Sequence, residues 1–321
     1  MTARFRQVAP FDGVDEGVGP LQAAAIVPLG GSSLVFLEGG SNLHVASDVP
    51  SQALVTEIKS FTGGDLQSFL NNLGANVALI ASILGSGAKQ LFQISGRALA
   101  GKNGVTIRAK NRKTGALEAQ LQAIVLKPKP MKVSLRQIQV FADDARTATA
   151  LLSQSKFEPQ AMLGHMNMVW TNQAGVTWTL GRTDPALIDA IDLRSEGPNR
   201  DNDAQTKALS AGCDSGADLT IFFSRKAFDP NGVKTSTPWT FGVHGYTRAE
   251  QGFCVVADDR LAFTIEHEEG HFLGALDAKG KFVADFPHSN GNNIMNVSGV
   301  SNSIIPASMA TVFNKGFAAK P

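Results

Sequence analysis

At 321 residues, with 43% apolar and 18% charged side chains, the chain is long enough for two domains and apolar enough to give each a core. Its 29 basic and 28 acidic side chains leave a formal net charge of +1, which excludes the broad basic surface that recruits nucleic acid or an anionic membrane. The longest strongly apolar run, residues 77–84, is far short of the roughly 20 residues a bilayer-spanning helix needs, so no membrane span is expected.

Residues 1–20 are rich in Gly, Pro and Asp and predict an irregular leader. Arg4 and Arg6 stand there without an apolar stretch behind them, so the leader is not a Sec signal peptide. The expected location is the cytoplasm, or outside the cell by a route that needs no such leader. A bacterial effector carried by a dedicated secretion system, which would then be a delivery partner, is compatible with this pattern. Cys213 and Cys254 read as two separate reduced thiols, with a single bridge as the competing reading.

Residues 21–128 predict a mainly β, sandwich-like domain. Alternation marks strands at 33–38, 42–46, 54–59, 91–96, 105–110 and 117–126. In the last two, Val105, Ile107 and Ala109, and Leu117, Ala119, Leu121 and Ala123, fall on one face at period two. Asp65 is placed to cap a short helical insertion carrying Leu66, Phe69, Leu70 and Leu73 on one stripe. Residues 95–126 loosely resemble a bacterial immunoglobulin-like module. Lys127-Pro128-Lys129-Pro130 reads as a stiff, solvated linker and the domain boundary.

Residues 131–321 mix strands and helices in an order that predicts an α/β (α+β) catalytic domain. Strands are expected at 132–141, 176–180, 219–224 and 252–257. Helices are expected from 145 to about 170, over 261–273 and over 306–314, and residues 181–217 as a long surface excursion.

The chemistry concentrates in His267-Glu268-Glu269-Gly270-His271. On a helix, His267 and His271 are one turn apart on one face and can grip a Zn²⁺ ion at about 2.0–2.1 Å each. Glu268 beside them is the candidate catalytic base, taking a proton from a water that the metal acidifies. Past the second histidine, Gly274 is expected to adopt the left-handed conformation that ends a helix. Asp277, three residues on, would then swing under the helix as third metal ligand. Asp285 and His288 are the other downstream candidates for that place, His288 being the alternative ligand type. No glutamate follows His271, so a downstream glutamate ligand is excluded.

The segment resembles the metzincin signature His-Glu-x-x-His-x-x-Gly-x-x-His, with aspartate where the last histidine is usual, as in the snapalysin-like variant. The resemblance implies a zincin-type fold over residues 131–321, a Zn²⁺ cofactor and a peptide or protein substrate. It also implies that Met295, in Asn293-Ile294-Met295-Asn296, forms a Met-turn beneath the metal. The stretch around His244-Gly245-Tyr246 resembles the strand before the zinc helix in this clan, making His244 and Tyr246 candidates for transition-state or substrate contacts. The expected activity is that of a zinc-dependent endopeptidase, a hydrolase of peptide bonds. The rival readings are a catalytically weak zincin acting as a binding or structural module, and an amide hydrolase on a polymer such as peptidoglycan stems.

Overall fold

A computed structural model of the chain describes residues 3–8, 13–15, 23–39, 42–58, 89–154, 156–195, 197–228, 242–277, 279–289, 293–296 and 305–315. The helical insertion expected around Asp65 lies outside the described residues. The fold is mixed α/β with more strand than helix, and the chain divides into two compact units.

The first unit holds Met1–Lys129 together with Met168–Val176 and Ile304–Asn314. Its strands are β1 (Arg4–Arg6), β2 (Val14–Asp15), β3 (Ala23–Pro28), β4 (Ser32–Glu38), β5 (Leu43–Ser47), β6 (Ala53–Ile58), β7 (Lys89–Gly96), β8 (Ala100–Asn111) and β9 (Leu117–Leu126). They form a four-stranded sheet, β1-β4-β7-β6, and a five-stranded sheet, β2-β3-β9-β8-β5. Alternate residues of both sheets share one core: Val35, Leu37, Phe92 and Ile94 from one, Val105, Ile107, Leu121 and Ala123 from the other. This is the period-two face legible in the sequence, apart from Leu117, which is exposed.

The second unit holds Pro130–Asn167, Thr177–Ser303 and Lys315–Pro321. Its elements begin with β10 (Lys129–Phe141), β11 (Thr149–Leu151), α1 (Pro159–Ala174), β12 (Val176–Leu180), β13 (Ala186–Leu187) and α2 (Asp203–Ala211). They continue with β14 (Leu219–Ser224), β15 (Ala227–Phe228), β16 (Gly242–Val243), β17 (Gly245–Arg248), β18 (Phe253–Ala257) and α3 (Thr264–Gly274). Helix α4 (Ala307–Lys315) belongs to the first unit but for its last residue, as does α1 from Met168 onward. The main sheet runs β11-β10-β14-β18-β17. β10, β14 and β18 are parallel, and β17 closes one edge antiparallel to β18. β14 is buried along its whole length, as a central parallel strand covered on both faces must be.

Three expectations about the elements need correction. Lys129 and Pro130 are no linker: they open β10, and the Lys129 N–H donates to Gly175 O. The described residues between 145 and 158 are not helical; Thr149–Leu151 pairs back onto β10, and the helix begins at Pro159, whose fixed φ suits a first helical position. The 181–217 excursion is not merely surface. It carries α2, capped by the Asn202 side chain accepting from Gln205 N, and it buries Ile188, Ile191 and Leu209 in a core with Phe222, Phe253 and Val255.

Candidate metal centre

Helix α3 follows β18 and packs beside β17. Its first seven residues, Thr264 to Gly270, are all buried, although four of them are Glu or His. Burying such groups is costly unless they find partners, and several of them do. The Leu261 N–H donates to Thr264 Oγ1 at its start. Glu266 Oε1 meets His165 Nδ1 of α1 at 2.7 Å, an interaction that raises the His165 pKa. His165 also stacks on Phe263.

His267 and His271 point the same way from successive turns, with ring centroids 4.8 Å apart. His267 Nδ1 lies 2.6 Å from Ile294 O, and His271 Nδ1 lies 2.6 Å from Phe286 O. A carbonyl oxygen only accepts, so both Nδ1 atoms carry the proton and both Nε2 atoms present lone pairs. His271 Nε2 is 3.2 Å from His267 Nε2 and 3.2 Å from His288 Nε2. Two neutral imidazoles with their protons on Nδ1 cannot hydrogen-bond to each other through Nε2, so the approach of His267 and His271 is compatible with a shared cation. Tetrahedral coordination at 2.0–2.1 Å puts ligand nitrogens about 3.3 Å apart, close to this spacing. Among the described residues, these three histidines form a cluster with all ligand atoms within 4.8 Å of one another, close enough to bind a metal ion.

Burial favours the neutral, ligating form of two of them. It lowers the His267 pKa against the opposing bond to Ile294 O. It lowers that of His271 to about 3, with further depression from His267 and His288.

Asp277, the expected third ligand, does not join the cluster. Gly274 stays inside the helix and the following Ala275 is right-handed, so the chain does not turn back where the sequence reading put the turn. The turn comes at Gly280, φ +74°. There the Asp277 carboxylate accepts the N–H groups of Lys279 and Lys281, bonds that lower its pKa. Asp285 lies 3.8 Å from Arg200 instead. The segment then returns with Phe286 and His288, which is the histidine that completes the cluster. Gly274 serves this return by its lack of a side chain: a Cβ there would sit 2.3 Å from the Phe286 ring.

Met295 is fully buried in a turn one residue after the carbonyl that holds His267. Asn293 Oδ1 shapes that turn by accepting from Met295 N and Ser289 Oγ. Glu268 is 4% exposed, and its Oε2 lies 2.6 Å from Thr247 Oγ1 on β17. Tyr246 alternates away from Thr247 and is buried in the core with Phe222 and Val255, which leaves it no surface from which to meet a substrate. His244 lies just before β17; its carbonyl accepts from Ala257 N, and its Nδ1 is 3.6 Å from Asp259. Thr247, Phe286, Ile294 and His165 carried no local signal in the sequence.

Comparison with known proteins finds no matching family model, no matching curated protein and no matching solved structure. The site speaks only through its geometry. Both cysteines are free thiols, Cys254 buried and Cys213 partly so. No helix among the described residues is long and apolar enough to cross a membrane.

Proposed function

We propose that this chain is a zinc-dependent endopeptidase of the metzincin type, with His267, His271 and His288 holding the zinc and Glu268 as general base. One observation carries the reading: His271 Nε2 lies 3.2 Å from the Nε2 atoms of both His267 and His288, while a buried carboxylate stands next in sequence to His267. A three-histidine set suits zinc and leaves a coordination position open for chemistry. Zinc held there supplies Lewis acidity, which acidifies water and polarises a carbonyl group.

The remaining work falls to the chain itself. The carbonyls of Ile294 and Phe286 fix the tautomer and orientation of the two helical histidines. Glu268 takes the proton from water and hands it to the departing amide nitrogen. Among the described residues β17 is the terminal strand of its sheet, so an extended peptide can add beside it through main-chain hydrogen bonds that are indifferent to side chains. That geometry favours an endopeptidase acting on unfolded or looped segments.

The test combines metal analysis of the purified protein with cleavage of casein. About one zinc per chain and cleavage abolished by chelation are expected. Stoichiometric zinc without cleavage of casein or of a peptide library would overturn the endopeptidase assignment and favour a binding module.

A further inference from the structure

Strand β17 meets α3 through the residues that face away from the Tyr246 core. Gly245 pairs with Val256 and Thr247 with Cys254, and the two pairs lie on the side of the sheet toward Glu268. Thr247 Oγ1 lies 2.6 Å from Glu268 Oε2, 2.9 Å from Glu268 O and 3.3 Å from Cys254 Sγ. A hydroxyl has one proton and two lone pairs, so these contacts cannot all be donations. Burial keeps the Cys254 thiol protonated, its pKa well above the ordinary value, so its one proton can go to Thr247 Oγ1 or to Glu268 O, 3.7 Å away. The Thr247 proton is then directed at its shortest acceptor, the carboxylate oxygen.

The other carboxylate oxygen is placed differently. A Cβ at Gly245 would stand 3.0 Å from Glu268 Oε1, 3.0 Å from Cγ and 3.0 Å from Val255 O. The side chain therefore lies along a strand stripped of its own side chain at that point, one oxygen tied to Thr247 and the other beside Gly245.

Resting on the endopeptidase reading, we propose that Thr247 is the positioning residue of the catalytic base: its hydroxyl, hydrogen-bonded to Glu268 Oε2, fixes the orientation of the carboxylate that takes the proton. Thr247 touches no substrate in this assignment. It limits the rotation of a carboxylate whose reach decides how often the proton acceptor is in line.

Two variants and one cycle test it on the zinc-loaded full chain. Thr247→Val keeps the shape and removes the hydroxyl; kcat should fall about tenfold, the scale of one hydrogen bond to a charged group, with KM and zinc content unchanged. Thr247→Ser restores the hydroxyl and should recover most of kcat. Melting temperatures supply a readout independent of turnover: the losses in Thr247→Val and Glu268→Ala should be non-additive in the double variant, because both remove the same contact. Wild-type kcat in Thr247→Val, or strictly additive melting losses, would overturn the assignment. Should the wild-type chain cleave nothing, the endopeptidase reading falls by itself, and the melting cycle still decides whether Thr247 holds the carboxylate.

Discussion

In the proposed mechanism, Glu268 and the residues downstream of it divide the labour between chemistry and metal holding. Glu268→Gln keeps size and hydrogen-bonding capacity but cannot accept a proton, so activity should fall at least about 100-fold while zinc content stays near normal. Wild-type turnover in that variant would remove Glu268 from the mechanism. The third ligand is tested by a pair of variants. His288→Ala should strip zinc, since its Nε2 is one of the three convergent nitrogens. Asp277→Ala should leave zinc in place and loosen only the turn whose N–H groups it accepts. Inductively coupled plasma analysis of the two proteins distinguishes them; zinc lost from Asp277→Ala alone would return the ligand role to the aspartate.

Protonation adds a second test at this scale. His271 has a folded pKa of about 3 against its ordinary 6.5. Between those values the unfolded chain holds a proton that the folded chain does not, so folded stability falls as pH drops. The contribution is fully present above 6.5, declines by up to about 1.4 kcal/mol per pH unit below it, and flattens near 3. His165 works in the opposite sense, because Glu266 raises its pKa; its contribution is present below 6.5 and lost as pH rises through the raised value. Thermal melts of metal-free protein and of metal-free His271→Gln across pH 4–8 isolate the first effect: the acid sensitivity should be smaller in the variant.

Helix α3 and the return segment work as one element. The helix supplies two histidines by its own periodicity, but the third, and the carbonyl that orients the second, arrive on a chain that has gone round a hairpin. Val283 N donates to Ala275 O and Asp277 N to Lys281 O, which closes that hairpin onto the end of the helix. At Gly274 the Phe286 ring packs where a side chain on the helix would stand. Gly274→Ala would force the Phe286 ring aside, at a cost of roughly 1–3 kcal/mol, and shift the carbonyl that holds His271. Zinc affinity and melting temperature should fall together, although alanine favours a helix more than glycine does. An unchanged zinc affinity would show that the return segment adjusts without disturbing the site.

Across the whole molecule, the boundary between the units is not a cut in the sequence. Met168–Val176 and Ile304–Asn314 belong with the first 129 residues. There Trp170 and Phe313 are fully buried edge to face, and the Asn314 amide donates to Lys127 O and Ala174 O. A fragment starting at residue 130 would expose both rings, each worth about 1.5–3 kcal/mol of burial, and lose the Lys127 partner. It should be insoluble or melt well below the full chain, whereas a separable two-domain protein would give a soluble, zinc-binding fragment.

What the sequence determined by itself is local. The period-two faces of β8 and β9, the helical spacing of His267 and His271, and Glu268 beside them depend only on backbone geometry, which repeats every two or 3.6 residues. The tertiary structure alone decided the rest. His288 lies 17 residues from His271, and Thr247 lies 21 from Glu268; no backbone period reaches across such distances. They meet because a glycine admits an aromatic ring and because an edge strand packs on a helix. The turn expected at Gly274 is displaced for the same reason. The expectation rested on that residue's conformational freedom, whereas packing against Phe286 uses the glycine for space and moves the turn to Gly280.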